Sequence, residues 1–166
     1  MSNILEIAKS MELVPLNRNG EPKYTTLSEM NQLINSEPRK DWVRTNKFSQ
    51  NAKYLPIRIV EELLREIFPF HEIHQVGEPK IIGNSVVISV NLRVFNPLIN
   101  SWLSYPGVGA VPIEVEKGAH PTDFTKINSK ALHKNVPAAL SFAINNAAKK
   151  IGKLFGSHLN SSESMY

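Results

Sequence analysis

The chain has 166 residues, 42% of them apolar, and a formal net charge of +4. That is enough apolar material for one buried core and one domain, while no apolar run approaches the length of a membrane span. With no cysteine there is no disulfide framework and no thiolate zinc site, and the basic balance favours nucleic acid or an acidic surface over an acidic small molecule.

Residues 4–13 have mild helical periodicity (Ile4, Ile7, Ala8, Met11) and no leader-cleavage pattern, so a cytoplasmic location is expected. Pro15 and the turn-like NRNGEPK close that segment. Over residues 26–34, Leu27, Met30, Leu33 and Ile34 form an inner stripe behind Thr26 or Ser28 as cap, which predicts a short helix. The stretch 36–54 is irregular and basic: Arg39, Lys40, Arg44, Lys47 and Lys53 are interleaved with Trp42, Phe48 and Tyr54. Cations alternating with aromatics suit a single-stranded nucleic acid, whose phosphates take cations and whose bases take π-faces. The plainer alternative is that the aromatics pin a loop to the core while the cations face water.

Residues 55–68 predict a second helix, opened by Pro56 and closed by Pro69, with Ile59, Val60, Leu63, Leu64 and Ile67 on its core face. From Phe70 the period becomes two. Strands are predicted over 70–76, 85–95 and 101–105, with Asn96, Pro97 and Asn100 marking the last turn. Pro106-Gly107-Val108-Gly109 is expected to break or bulge the third strand, with 110–115 continuing extended. Residues 135–156, NVPAALSFAINNAAKKIGKLFG, predict one long helix with Asn135 as N-cap, Pro137 in its first turn and Gly156 as C-cap. Its apolar stripe is Leu140, Ile144, Ala147, Ile151 and Phe155; Asn145, Asn146, Lys149, Lys150 and Lys153 fall opposite. The expected fold is α+β: an antiparallel β-β-β meander packed against a long C-terminal helix, preceded by short N-terminal helices. The expected organisation is a helical and irregular basic segment (1–53), a core domain (54–160) and a mobile tail (161–166).

Lys126, Lys130 and Lys134 lead into the long helix, and residues 124–160 contain no Asp or Glu. A one-signed segment on an otherwise mixed chain is the footprint of a polyanion partner, against the alternative of a solvated lysine-rich face. Other constellations are weaker. His71 and His74 point to opposite faces of a strand and lack a third ligand. Glu114, Glu116 and Lys117 lack the acid–any–lysine spacing of a nuclease. The PGVG turn has no following Lys-Ser or Lys-Thr for a phosphate loop, and no serine sits in a nucleophile elbow. No catalytic residue, metal or cofactor is expected. A double-stranded RNA or general nucleic-acid binding module, and a metal-dependent nuclease using Glu114 or Glu116, are the rival readings.

The segments IVEELLREIF, SVVISVNLRVF, WLSYPGVGAV, SKALHKN and AAKKIGKLFG occur in an order that resembles single-strand annealing proteins of the Rad fifty-two superfamily, including phage recombination proteins of the Red-beta or Erf kind. Gly152 and Gly156 behind a basic helix, following a Gly-x-Gly strand end, are the most specific part of the likeness, which covers residues 54–160. The resemblance implies ATP-independent annealing of complementary strands in recombination and repair, without covalent catalysis or cofactor, by a phage-encoded protein in a bacterial host cell. It also implies a homo-oligomer, ring or helical filament, holding single-stranded DNA in a basic groove, with a phage exonuclease as a further partner. The apolar residues at both parities of strand 85–95 and the unpaired edges of a small sheet agree with side-by-side packing of subunits.

In that family a Lys-Arg pair on the long helix faces the DNA one turn before another Arg. Carried onto this chain, the pair falls on Asn145 and Asn146 and the later Arg on Lys149. Lys149, Lys150 and Lys153 then supply charge one turn later, and the Asn amides remain able to hydrogen-bond phosphate. The family's lysines ahead of the helix match Lys126 and Lys130, with Lys134 following them. A family Arg at the start of the preceding helix falls within one position of Arg58.

Overall fold

The computed structural model describes residues 13–46, 51–120, 122–128 and 130–161. In chain order the elements are α1 (Leu27–Ile34), β1 (Arg44–Asn46), β2 (Ala52–Tyr54), α2 (Ile57–Ile67), β3 (His71–Gln75), β4 (Lys80–Ile82), β5 (Ser85–Asn96), β6 (Ser101–Pro112) and α3 (Ala131–Ala148). Short 3-10 turns lie at Phe124–Lys126 and Lys153–Phe155. Residues 4–12 of the predicted N-terminal helix, the residues Lys47 and Phe48, and the tail beyond 161 fall outside the described residues.

The architecture is α+β, an antiparallel sheet packed against the C-terminal helix, as the sequence indicates. β5 is its centre because Val86, Ile88, Val90, Leu92 and Val94 alternate with more polar neighbours and are all buried on one face. β6 pairs with β5 along its whole length, from Ser85 opposite Pro112 to Asn96 opposite Ser101. On the other side of β5, β3 and β4 lie end to end, pairing with residues 90–94 and 85–87. A separate two-stranded hairpin joins β1 to β2, with Arg44 opposite Tyr54. This hairpin and β4 are strands that the sequence leaves as loop, because three-residue strands are too short to show a period.

The PGVG segment does not break β6. The Ser89 carbonyl accepts from Val76 N–H (2.8 Å) and Phe95 N–H donates to the Phe70 carbonyl (2.9 Å), so odd-numbered residues of β5 turn their peptide groups toward β3. Their partners on β6, which include Pro106 and Pro112, therefore turn theirs toward the free edge. There a proline's missing N–H costs no ladder bond, which is why the strand runs through both.

The long helix differs from expectation at both ends. It begins at Ala131 rather than after Asn135, and it stops at Ala148 rather than near Gly156. Asn135 is no cap: its side chain is buried and its Nδ2 donates to the Pro112 carbonyl (2.9 Å). Pro137 lies within the helix, where the His133 carbonyl loses one intrahelical donor. After Ala148 the chain must pass the C-terminal end of α1. Gly152 makes that crossing, where a methyl group would collide with the Ile34 carbonyl. Gly156 then closes the short 3-10 turn in a left-handed conformation (φ +85°).

The core fills the space between the inner face of the sheet, α2 and α3. Leu64, Leu92, Val94, Ala139, Ala143, Ala147 and Ala148 lose all contact with water. Tyr24 attaches the segment before α1 to this core: its hydroxyl donates to the Ile67 carbonyl (3.0 Å), and burial pushes its pKa up to about 12. α1 itself opens with a capping box on Thr26. Glu29 N–H donates to the Thr26 hydroxyl, and the Glu29 carboxylate accepts from the backbone of Thr25 and Thr26. Those bonds, Thr25 N–H foremost, hold the Glu29 carboxyl below its ordinary range.

The closest helix–sheet approach is at two glycines of β6. A methyl at Gly107 would strike the Ala143 carbonyl oxygen and stand 2.6 Å from Ala147 N; one at Gly109 would strike the Ala139 carbonyl oxygen and stand 2.5 Å from Ala143 N. These obstacles are helix backbone, so neither can yield locally. Gly107→Ala and Gly109→Ala should each destabilise by roughly 1–3 kcal/mol or more, the range for overpacking. Ile144→Ala should lose about 2–5 kcal/mol as a core truncation. Urea denaturation checks all three, and an unchanged midpoint for both glycine variants would contradict the contact.

Candidate functional site

At about 100° per residue, α3 divides into three stripes. Ala139, Ala143 and Ala147 sit on Gly109 and Gly107. Leu140, Ile144 and Ala148 turn into the core, followed by Ile151 just past the helix end, with Leu140 half-buried. The third stripe is Phe142, Asn145, Asn146 and Lys149, at the i, i+3, i+4, i+7 spacing of a single helix face. Together with the β1–β2 hairpin, this stripe lines a groove of about 650 Å³. Lys53 and Tyr54 come from the hairpin, Ala110 from β6, and the buried Leu55, Val60 and Phe155 give the groove an apolar base.

Amide side chains hold the walls together. Asn160 grips β2 twice: its Oδ1 accepts from Lys53 N–H and its Nδ2 donates to the Lys53 carbonyl, both at 2.7 Å. Asn146 Nδ2 donates to the Val108 carbonyl (2.8 Å), one of the outward-facing carbonyls of β6. Asn145 Nδ2 donates to the Leu55 carbonyl (3.3 Å), and its Oδ1 is buried without a partner among the described residues. Both helix amides thus give one N–H to backbone, and each keeps its second N–H to donate to a phosphate.

No carboxylate lines the groove, and neither Lys53 nor Lys149 is paired with an acid among the described residues. Five other described lysines and arginines, Lys23, Arg39, Arg58, Arg93 and Lys134, do have acid partners. Arg39 binds Asp41 (2.7 Å) while stacking on Trp42 at 5.2 Å, and that hydrogen bond holds the Asp41 carboxyl below its ordinary range. Arg44 donates to the Asp41 carbonyl (2.7 Å). Arg93 binds Glu72 (2.9 Å) and stacks on Trp102 at 4.9 Å; Glu72 is held low by its bond from His74 first and by the Arg93 charge. Exposed pairs of this kind contribute little stability, at most about 1 kcal/mol, but they leave those cations less available.

The nine residues singled out in the sequence separate accordingly. Asn145, Asn146 and Lys149 line the groove. Lys150 and Lys153 are exposed just beyond it, and neither lines it. Lys126, Lys130 and Lys134 are exposed near the other end of α3, where Lys130 and Lys149 are about 28 Å apart at 1.5 Å per residue. Lys134 is paired with Glu114 (3.1 Å) and Arg58 with Glu62 (3.2 Å). The sequence marks Lys53 and Tyr54 only as part of a basic stretch, and it passes over Phe142 and Asn160. Phe142 has a legible signal, an aromatic at helical spacing on an amide-and-lysine stripe. Asn160 has none, because its partner lies 107 positions away. His71 and His74 bond the Phe68 carbonyl and Glu72, and among the described residues no three His, Asp or Glu side chains gather as a metal would require. No described helix is long and apolar enough to cross a membrane.

Compared with models of known protein families and with curated proteins, the chain matches none.

The Asn160 clamp has a direct consequence. Asn160→Ala should remove protection of the Lys53 amide in hydrogen exchange while leaving the β5 and β6 amides slow. Loss of two hydrogen bonds predicts destabilisation of roughly 1–3 kcal/mol. An unchanged Lys53 exchange rate would mean that the hairpin is held by other contacts.

Proposed function

We propose that this protein binds single-stranded DNA without reading its sequence and promotes annealing of complementary strands. The observation that carries the reading is the groove between α3 and the β1–β2 hairpin: exposed aromatic rings and two lysines, with no acid partner and no carboxylate in the lining among the described residues. A phosphate chain needs the cations, and the carboxylate-free lining spares it repulsion. Annealing requires that base edges stay available to a second strand, and this groove offers charge and ring faces rather than the bidentate side chains that read bases. The resemblance to single-strand annealing proteins supports the same reading. On this view Lys150 and Lys153 extend the track past the helix end, and Lys126 and Lys130 receive a strand that continues to the far end of α3.

The reading extends to assembly. One groove holds only a few phosphates, whereas many weak contacts repeated around an oligomer can hold a long strand and still release it to a duplex. The outer face of the sheet is open for such packing, with Ile82, Trp102 and Val108 exposed. Simple strand addition at β6 is disfavoured, because Pro106 and Pro112 present no N–H on the free edge and Asn146 and Asn135 occupy the carbonyls of Val108 and Pro112. Face-to-groove or face-to-face packing is the arrangement left.

Two measurements test this. Oligonucleotide affinity, read by fluorescence anisotropy, should fall as salt rises, with a slope of about −0.7 in log–log terms for each phosphate neutralised. Lys53→Ala with Lys149→Ala should flatten that slope by about 1.4 and slow annealing, with stability within roughly 0.5 kcal/mol of the wild type. Salt-independent affinity would sink the proposal. For assembly, native mass spectrometry with a long single strand should show complexes of several subunits. A lone 18.6 kDa chain on DNA at micromolar concentration would exclude it.

A further inference from the structure

Two large rings in the groove make no ring contact among the described residues. Phe142 is 46% exposed on α3 and Tyr54 is 38% exposed on β2, although the apolar base of the groove lies beside them. The ring contacts among the described residues join Phe95 to Trp102, Arg39 to Trp42 and Arg93 to Trp102, and involve neither Phe142 nor Tyr54. The Tyr54 hydroxyl likewise has no hydrogen-bond partner among the described residues. A ring that served only packing would be expected on the buried stripe of α3, where Ile144 and Ala148 lie, and not on the face it shares with Asn145, Asn146 and Lys149.

The surroundings state which occupant suits these rings. An apolar ligand would find Lys53 and Lys149 beside it, and an acidic peptide would have no use for the rings. A nucleotide chain uses both, since every base has a π-face and every linkage carries a charge. Along the helix, Phe142 and Lys149 are separated by about 10 Å at 1.5 Å per residue. That is close to the axial span of about three stacked nucleotides at the 3.4 Å spacing of a strand in duplex DNA.

Resting on the reading of the groove as a single-strand site, we infer that Tyr54 and Phe142 are base-stacking residues, which hold the bases of a short single-stranded DNA segment by their faces while Lys53 and Lys149 take its phosphates. Stacking engages the face of a base and leaves its pairing edge free, so the contact is compatible with annealing.

The experiment compares binding of a thymidine oligonucleotide with an abasic deoxyribose-phosphate chain of equal length, using the full chain at one salt concentration and then across a salt series. The wild type should prefer the base-bearing chain by on the order of tenfold for each stacked base. Tyr54→Ala and Phe142→Ala should each reduce that preference, Tyr54→Phe and Phe142→Tyr should keep it, and the salt slope should be the same in all five proteins. Equal wild-type affinity for the two chains, with a normal salt slope, would overturn the stacking role and leave the lysine groove standing. Failure to bind either chain would overturn both. A change in subunit mass in the alanine variants, with the base preference intact, would assign the rings to contacts between copies of the chain and overturn the inference. Because the abasic comparison is made on the wild type, it decides the question even where a variant folds poorly.

Discussion

The approach of α3 to β6 at Gly107 and Gly109 is the contact on which the rest of the structure depends. Helix carbonyls of Ala139 and Ala143 occupy the space that side chains would take on the strand, and alanines occupy the corresponding positions on the helix. Dispersion between backbones at that range is lost steeply with separation, so an added methyl on either side would move the whole helix outward. The contact therefore limits the height and rotation of the helix over the sheet. That rotation turns Ile144 and Ile151 inward and leaves Phe142, Asn145, Asn146 and Lys149 beside the free edge of β6.

The edge of β6 and the wall of the groove are managed by the same side chains. Asn135 and Asn146 stand three turns apart on α3 and each donates to an outward carbonyl of β6, at Pro112 and Val108. The prolines remove edge donors, and the asparagines satisfy edge acceptors without adding charge. An edge that would otherwise invite strand pairing becomes the quiet side of a groove. Asn160 does for the hairpin what Asn146 does for the helix, by matching both backbone groups of Lys53. The groove is braced by neutral amides, and among the described residues no acid competes for its two lysines.

Charge is sorted in the same spirit. Counted along the chain, residues 124–160 are the basic region because they contain no acid. Counted in space, Lys134 has Glu114 beside it, Arg58 has Glu62, Arg39 has Asp41 and Arg93 has Glu72. Lys53 and Lys149, far apart in the chain, share one cavity with no carboxylate among its described lining residues. Proximity of opposite charges, not linear density of like charges, decides which cations can meet a phosphate.

Much of the fold was legible in the sequence, and so was part of the candidate site. The alternation in β5, the core stripes of α1 and α2 and the apolar stripe of α3 are local patterns, set by periods of 2 and 3.6 that any window of the chain reveals. The polar stripe carrying Asn145, Asn146 and Lys149 was visible for the same reason. Where the sequence reading failed, a distant partner had changed the meaning of a local signal. Asn135 looks like a cap until Pro112 takes its amide; Pro106 looks like a strand breaker until the pairing of β5 places it on the free edge; Gly156 looks like the end of α3 until the carbonyl of Ile34 forces the turn at Gly152. The groove belongs to this second class. By itself the sequence determined which faces of each element are apolar, amide or cationic, because a side chain's direction follows from its own backbone period. Only the tertiary structure decided which of those faces meet, because bringing Lys53 against Asn160 and Tyr54 into one cavity with Phe142 depends on long-range packing that no window of the sequence contains.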